Sequence, residues 1–444
     1  KTVCGSFDAA MKRWTSAQVL RAAEFAYAAF TLFALTQGPV FLVWKNSAAR
    51  VSELPSPSVG HVYFATFLAL QAPGIAIFVR CVKAEWFSHH ANRVLIALVT
   101  WLGATTIWST FARESFPQSI SLIATAIFGS YLSMRFSPQE FWSVLSIGMF
   151  SGVGLSWIAV VRLWDGAVNF QYDYWVGIYF NRNSFAPVAV TALISAAYLL
   201  LPHPPISRKS LLKHVLLLMP VGGLCSIAII EIWKSESRTS PAALVFAALI
   251  VLLGLVLRWM FLFVRVFKGV VKYSFLIALF IFLASVGLYV RNIGGLTGIV
   301  VKLPTLNPRE VLWEFSWSGF RQKPWHGWGW MAAWRTPEFF NSPASTWAST
   351  WRSEWSHNGY FDLLLGGGIV AMTLFVIFLL SAVLIRRSES IRTAIFRVTT
   401  ILFVLVAATQ ESFFIGSHFL WAVLVAVAVA PYDAESLVQQ QKAE

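Results

Sequence analysis

The chain has 444 residues, of which 57% are hydrophobic and 12% are charged, and its formal net charge is +14. A soluble protein of this length needs far more charge to cover its surface, so the composition argues against a soluble fold. The excess of Lys and Arg does not indicate nucleic-acid binding, because these residues lie between apolar runs, as in a polytopic membrane protein. Cys4, Cys81 and Cys225 are scattered, which argues against a disulfide framework and a cysteine-based zinc site.

Apolar runs of about 20 residues recur along the chain, and each is long enough to cross the hydrocarbon layer as a helix. Barrel strands alternate apolar and polar residues, and these runs do not. We therefore predict an all-α, polytopic helical bundle with about 12 transmembrane helices. No signal-peptide cleavage site follows the first run, which we expect to remain as a span. The predicted spans are 23–44, 60–80, 94–112, 116–135, 139–162, 183–201, 211–232, 240–262, 272–290, 360–385, 393–409 and 412–430.

The distribution of basic residues among the loops predicts the orientation of the chain. Lys and Arg cluster in every second loop, for example at Arg80 and Lys83. The alternate loops are poorer in them where they are short, and one carries the acid Glu411. We therefore place the basic loops and both termini in the cytoplasm, and the long stretch 291–358 on the outer face, since long loops translocate largely regardless of charge.

These spans and loops divide the chain into four predicted segments. Transmembrane helices 1–9 occupy 1–290, an outer loop region with short helices occupies 291–359, helices 10–12 occupy 360–432, and a cytoplasmic tail occupies 433–444. We find no convincing internal repeat and no soluble domain.

Two arginines lie at the outer ends of predicted spans, where the positive-inside bias disfavours them. Arg182 stands between two asparagines, and Arg238 stands between a serine and a threonine. Either one alone is accounted for by a side chain that reaches up to lipid phosphate. For the pair together we favour a binding site for a diphosphate, because guanidinium is permanently charged and forms bidentate hydrogen bonds to phosphate oxygens.

The outer stretch interleaves arginine with tryptophan. The tryptophans are open to two interpretations: an aromatic belt on the headgroups, or flat faces that pack against sugar rings. The arginines are suited to an anionic ligand. The residues concerned are Arg309, Arg321, Trp313, Trp317, Trp325, Trp328, Trp330, Trp334, Trp347, Trp351 and Trp355.

His357 lies just before the tenth predicted span, at the outer surface. The positive end of a helix there disfavours the imidazolium form, and a neutral histidine can accept a proton as a general base. The plain alternative is a helix-capping or interfacial histidine. In the same span, Gly366–Gly368 predicts close helix packing or a kink. No metal-binding spacing joins the histidines of the chain, so we expect no metal.

Four short motifs resemble those of a known family. They are Gly-Ile-Tyr-Phe-Asn-Arg-Asn at 177–183, Ser-Arg-Thr at 237–239, Pro-x-x-Gly-x-Gly at 324–329 and His-Asn at 357–358. Their order, spacing and common placement on the outer face make the match specific. On these motifs the chain from about residue 175 to 430 resembles the bacterial O-antigen ligase and polymerase superfamily, whose members transfer glycans from a polyprenyl diphosphate carrier.

The resemblance implies a role for each matched residue. Arg182 and Arg238 would engage the diphosphate of the lipid carrier, and His357 would be the essential catalytic histidine. The Pro-x-x-Gly-x-Gly segment would shape the outer loop. We expect supporting roles in the same site for Asn183, Asn358, Arg309, Arg321, Gly327 and Gly329.

The resemblance also implies a setting and a substrate. The chain would be a multi-pass enzyme of the bacterial inner membrane with its active site on the periplasmic face, and it would need neither a cofactor nor a metal. Its partners would be a glycan on undecaprenyl diphosphate as donor, an acceptor and membrane lipids, with no nucleic acid. The absence of an evident carboxylate pair argues against a retaining double displacement.

Three functions stay open at this point. We favour a ligase that passes the glycan to lipid A–core oligosaccharide, because the basic, aromatic outer loop suits a bulky anionic acceptor. A polymerase that extends carrier-linked repeats would use the same motifs. A flippase or transporter of about 12 spans is less favoured, since the chain shows no repeated halves and few ionisable residues at mid-membrane depth.

Overall fold

The computed structural model describes residues 16–40, 57–164, 166–169, 173–201, 208–263, 309–341, 355–384, 390–414 and 416–429. Over these residues the chain is almost entirely helical, apart from a short antiparallel pair formed by β1 (Val168–Asn169) and β2 (Tyr174–Trp175) and two 3₁₀ turns at Thr105–Trp108 and Ala333–Arg335. The helices are α1 (Ser16–Leu35), α2 (Pro57–Cys81), α3 (Ala84–Ser88), α4 (His90–Ala104), α5 (Ala112–Arg135), α6 (Pro138–Val161), α7 (Arg182–Leu200), α8 (Arg208–Ser235), α9 (Thr239–Phe263), α10 (Arg309–Gln322), α11 (Pro337–Phe340), α12 (Gly359–Leu384), α13 (Ile391–Ala407) and α14 (Phe419–Val429).

The all-α prediction is confirmed over the described residues. By length and composition, five of the described helices are long and apolar enough to cross a membrane. The total of about 12 spans and the outward placement of the long loop stay predictions, and the predicted span 272–290 lies outside the described residues. The five segments are Val62–Cys81, His90–Trp108, Pro138–Val161, Arg182–Leu200 and Gly359–Val383.

Local sequence signals account for where several helices begin. Helix α6 starts with a capping box, in which the Ser137 hydroxyl accepts the Glu140 amide N–H and the Glu140 carboxylate accepts the Ser137 amide N–H, with proline at the first helical position. Helix α7 starts after Asn181, whose side-chain oxygen accepts the amide N–H of Ser184 at 2.8 Å. That cap makes Arg182 the first residue of α7.

Helix α14 forms the centre of the bundle. Every one of its side chains from Phe419 to Val429 is buried, as expected for a helix that is apolar on all sides. It packs against α5, where Gly129 allows close approach: a Cβ at this position would lie 2.6 Å from the backbone oxygen of Ala422. This packing fixes the connection between α13 and α14, which carries the largely buried Glu411.

Helix α12 is broken at Gly368, which adopts φ 67° and ψ −164°. The Pro-x-x-Gly-x-Gly segment fills the break: the amide N–H of Trp328 donates to the carbonyl of Leu365 at 2.7 Å, and that of Gly329 donates to Gly366 at 3.2 Å. The indole of Trp101 donates to the carbonyl of Gly367 at 2.8 Å. These donors satisfy backbone carbonyls that have no hydrogen-bond donor within the interrupted helix. The kink in α12 is therefore stabilised by the Pro-x-x-Gly-x-Gly segment.

Candidate functional site

Glu411 is the point where several of the predicted site residues meet. One oxygen of its carboxylate, Oε2, lies 3.0 Å from Nδ1 of His357. The other, Oε1, accepts a hydrogen bond from Nδ2 of Asn183 at 2.8 Å and a close charge-assisted hydrogen bond from Nη2 of Arg309. We call these four residues the Glu411 cluster; Glu411 and Arg309 are largely buried, with 12% and 17% of their side chains exposed.

Four separate segments of the chain supply the cluster. Asn183 lies in the first turn of α7, Arg309 is the first residue of α10, and His357 lies two residues before α12. Glu411 lies in the connection between α13 and α14. The cluster therefore depends on how these four segments pack together at one end of the bundle, and no single segment forms it alone.

The hydrogen-bond pattern assigns the tautomer of His357. Burial raises the pKa of Glu411, but the hydrogen bond and the electrostatic interaction with His357, together with the positive charge of Arg309, outweigh burial. The pKa of Glu411 is therefore lowered overall. An ionised carboxylate only accepts hydrogen bonds, so Nδ1 of His357 carries the hydrogen and donates it. The arrangement leaves the proton-accepting chemistry of the ring to Nε2, which is buried.

The backbone at His357 is unusual as well. Its φ is 50°, in the left-handed region that non-glycine residues rarely adopt. Strained backbone of this kind persists only where its surroundings hold it in place. Here the next residue, Asn358, caps α12 by accepting the amide N–H of Tyr360 at 3.0 Å, and its amide donates to the carbonyl of Thr409 at 2.9 Å. The structure thus gives Asn358 a capping and bridging position next to the cluster.

A second carboxylate, Asp362, lies behind the cluster in the first turn of α12. Its Oδ1 accepts the amide N–H of Ser356 at 2.9 Å, and its Oδ2 accepts a close hydrogen bond from the hydroxyl of Ser412. Ser356 precedes His357, and Ser412 follows Glu411. Asp362 therefore joins the two chain segments that carry the His357–Glu411 pair.

The two predicted diphosphate-binding motifs lie beside the cluster. The Ser237 hydroxyl donates to Oδ1 of Asn183 at 3.2 Å, which links the Ser-Arg-Thr motif to the Asn-Arg-Asn motif. Arg182 begins α7, and Arg238 directly precedes α9. The structure thus brings the start of α7, the start of α9 and His357 into one connected hydrogen-bond network through Asn183 and Glu411.

Arg182 and Arg238 are more open to solvent than Arg309. The side chain of Arg182 is 39% exposed, lies 3.8 Å from the exposed carboxylate of Glu236, and stacks over the ring of Tyr174 at 4.8 Å. Arg238 is also exposed. Guanidinium groups in this setting keep hydrogen-bonding capacity for a ligand, whereas the largely buried Arg309 already donates to Glu411.

Other predicted residues lie away from the cluster. Gly327 and Gly329 belong to the break in α12: both have positive φ, and a Cβ on Gly327 would lie 2.5 Å from the carbonyl oxygen of Leu365. Arg321 lies in the last turn of α10, about 18 Å along the helix axis from Arg309, and it is exposed. These three residues are not brought to Glu411.

The tryptophans of the outer stretch have a third role that neither sequence interpretation included. Trp313, Trp328, Trp330 and Trp334 are buried, so these four are neither a headgroup belt nor an open sugar-binding surface. The indole N–H of Trp313 donates to the carbonyl of Ser356 at 3.1 Å. Trp325, in contrast, is 71% exposed. Trp347 and Trp351 lie outside the described residues.

Glu411 and Asp362 are the two residues that the sequence interpretation did not place in the site. Glu411 entered it only as an acid on an outer turn, and Asp362 lay unnoticed inside an apolar span. A usable signal was present in both: an ionisable residue within or beside an apolar helix of a membrane protein is costly and needs a partner. The sequence did not say which partner each would find.

Comparison with known proteins gives one family. The family model described as O-Antigen ligase matches residues 223–376, which include Arg238, Arg309, His357 and the Pro-x-x-Gly-x-Gly segment. A search of curated proteins found no match. The match covers about a third of the chain, and it supports the resemblance to the O-antigen ligase and polymerase superfamily.

Proposed function

We propose that the chain is an O-antigen ligase, which transfers a glycan from undecaprenyl diphosphate to lipid A–core oligosaccharide at the periplasmic face of the inner membrane. The observation that carries this proposal is the Glu411 cluster, because it joins His357 to the two arginine motifs through hydrogen bonds. A general base that is linked by hydrogen bonds to motifs carrying two exposed cations suits a glycosyl transfer with a diphosphate leaving group.

Arg182 and Arg238 act on the leaving group in this proposal. As the bond between the anomeric carbon and the diphosphate breaks, negative charge builds on the phosphate oxygens. Guanidinium groups stabilise that charge more strongly in the transition state than in the bound donor, which accelerates the reaction. The exposure of both side chains and the link between their motifs support this role.

His357 acts on the acceptor. The acceptor hydroxyl attacks the anomeric carbon, its proton passes to Nε2 of His357, and undecaprenyl diphosphate departs with the electron pair of the broken bond. Glu411 holds the ring in the tautomer that can accept this proton and stabilises the imidazolium that forms. A single displacement of this kind inverts the anomeric configuration and requires no metal ion.

The ligase and the polymerase differ only in the acceptor, and the family match is common to both. We favour lipid A–core because the outer stretch carries exposed or half-exposed cations away from the Glu411 cluster, at Arg321, Lys323 and Arg335. Such groups suit the anionic phosphates and acidic sugars of a core oligosaccharide.

The test is incubation of the purified protein with carrier-linked glycan, alone and together with lipid A–core, followed by gel analysis of the products. A shift of the core band supports the ligase, whereas a ladder on the carrier without core identifies a polymerase. A flippase would move the carrier across reconstituted vesicles without consuming it. Unchanged donor in every reaction, with a His357→Ala protein indistinguishable from wild type, would refute the transferase proposal.

A further inference from the structure

Asp362 contacts both segments that carry the His357–Glu411 pair. Its Oδ1 accepts the amide N–H of Ser356, and its Oδ2 accepts the Ser412 hydroxyl. These two serines are the immediate neighbours of His357 and Glu411 in the chain. The side chain of Asp362 is therefore a bridge with one end on each side of the pair.

We propose that Asp362 is a positioning residue, which sets the distance and orientation between His357 and Glu411 without touching the substrate. The proposal rests on the proposed function, because it assigns Asp362 a role in proton transfer through His357. It goes beyond the family motifs, none of which includes this position.

The chemistry of the bridge favours a short carboxylate at this place. Asp362 is 5% exposed, so both donors that it satisfies are shielded from water. A buried amide N–H or hydroxyl that loses its acceptor destabilises the folded state, so the two contacts hold their segments in place. The location of Asp362 in the first turn of α12 also suits a negative charge, because the helix dipole is positive there.

The contacts around Ser356 show that this point of the backbone is fixed from several sides. Besides the bond to Asp362, its carbonyl accepts the Trp313 indole at 3.1 Å, and its hydroxyl accepts the Trp334 indole at 3.3 Å. Since His357 follows directly with φ 50°, the direction of its ring depends on how Ser356 is held. Asp362 is the member of this group that also reaches the Glu411 segment.

A purely structural role for Asp362 makes a different prediction from a positioning role. Loss of a structural contact lowers the folded, donor-binding fraction and leaves the chemistry of the remaining molecules intact. Loss of a positioning contact leaves donor binding unchanged and slows transfer, because a misplacement of about 1 Å in a catalytic group can cost about 10²-fold in rate. A second variant at Glu411 separates the two roles further. If Asp362 acts by orienting the His357–Glu411 pair, the rate losses from changing Asp362 and Glu411 should not be additive in free energy.

The experiment measures donor affinity and the single-turnover rate of glycan transfer to lipid A–core, with the full-length protein in detergent micelles. The variants are Asp362→Ala, Asp362→Asn, Ser412→Ala and Glu411→Gln, together with the Asp362→Ala/Glu411→Gln double variant. Asp362→Asn keeps an oxygen for the Ser356 amide and an N–H group that can donate to the Ser412 hydroxyl. Glu338→Ala, which removes an exposed carboxylate from α11, is the matched control.

We expect Asp362→Ala to lose about 10- to 100-fold in transfer rate with donor affinity unchanged, and Asp362→Asn to recover most of that loss. In the Glu411→Gln background the same Asp362→Ala change should cost less than about threefold, because the orientation that it protects is already lost. If Asp362→Ala does not fold, Ser412→Ala carries the test, since it removes one arm of the bridge and should slow transfer only when Glu411 is present.

Equal losses in the wild-type and Glu411→Gln backgrounds, or a fall in bound donor that matches the fall in rate, would overturn the positioning role. A wild-type rate in Asp362→Ala together with an inactive His357→Ala protein would overturn it as well, and would leave the proposed function standing. A wild-type rate in His357→Ala would instead remove the proposed function on which the inference rests.

Discussion

His357 and Glu411 are separated by 54 residues in sequence, yet their side chains meet with 3.0 Å between Nδ1 and Oε2. One lies just before α12 and the other lies between α13 and α14. The pair therefore forms only when the start of α12 lies against the end of α13, where the Tyr360 hydroxyl donates to the carbonyl of Leu405. Through Asn183 the same carboxylate reaches the motif of Arg182, and through Ser237 the motif of Arg238. The proposed chemistry depends on this connection.

Removal of the imidazole should abolish most of the transfer activity. General acid–base catalysis contributes about 10²–10⁴-fold to a rate, so His357→Ala should lose about that factor. Donor binding should persist, because the arginines remain. The measurement is single-turnover transfer with defined donor, alongside a donor-binding isotherm. Normal turnover in this variant would end the general-base assignment.

Removal of the charge on Glu411 should destabilise the protein in a pH-dependent way. The lowered pKa of Glu411 means that its ionised form favours the folded state at pH values above its ordinary 4.5, and that this contribution is lost as the pH falls through the lowered pKa. Glu411→Gln should therefore unfold at a lower temperature than wild type at pH 7, by an amount worth a few kcal/mol at most, given about 3–5 kcal/mol for breaking a fully buried ion pair. The difference in unfolding temperature between Glu411→Gln and wild type should narrow at acidic pH.

Thermal unfolding in detergent, measured from pH 7 down to acidic pH, checks the Glu411 prediction. Glu338→Gln is the matched control, because that carboxylate is exposed and lies outside the Glu411 cluster. A Glu411→Gln protein as stable as wild type at pH 7, or one whose stability deficit does not narrow as the pH falls below 4.5, would contradict the ionised carboxylate described above.

Removal of the charge of Arg182 or Arg238 should lower the catalytic efficiency toward the carrier-linked donor. Arg182→Ala and Arg238→Ala should each lower kcat/KM for carrier-linked glycan, by about 10-fold or more, since a charged hydrogen bond is worth about 1.5–3 kcal/mol. Arg→Lys changes should recover part of the loss, because they keep the charge but not the bidentate geometry. Kinetics with unchanged expression test this, and unaltered kcat/KM in both Ala variants would defeat the diphosphate role.

The break in α12 should not tolerate a side chain. Gly368 has a backbone conformation that is almost exclusive to glycine, and a Cβ there would lie 2.3 Å from the carbonyl oxygen of Trp325. Gly368→Ala should therefore destabilise the protein by at least about 1–3 kcal/mol. Gly154→Ala is the matched control, since a Cβ there would meet no atom within 4 Å beyond its own helix backbone and chain neighbours, and alanine is a better helix former. Equal unfolding temperatures for the two variants would contradict this account of the kink.

Apolar length predicted the helical class and the approximate helices from the sequence, because that signal is local. The orientation inferred from loop charge stays a prediction. The kink at Gly366–Gly368 was among the two outcomes that the glycine run allowed, and the structure shows it. The first predicted span, 23–44, is less regular than expected: α1 ends at Leu35, and a turn at Thr36 and Gln37 follows before the chain resumes a helical course.

The site was harder to predict, because its contacts join residues that are distant in sequence. Short motifs made Arg182, Arg238 and His357 candidates, but they carried no information about Glu411, which depends on how α14 packs in the core. The expected surroundings of His357 were the positive end of a helix and nearby arginines. The structure adds the carboxylate of Glu411 beside the His357 ring. It places Arg321 in the last turn of α10, at the opposite end from Arg309.

The most direct test of the central claim is a double-mutant cycle on the transfer step, with wild type, His357→Ala, Glu411→Gln and the double variant compared in single-turnover reactions. If Glu411 acts through His357, the double variant should be no slower than His357→Ala alone, because the carboxylate has nothing left to orient. Losses that multiply in the double variant would contradict the claim that His357 and Glu411 act as one catalytic unit.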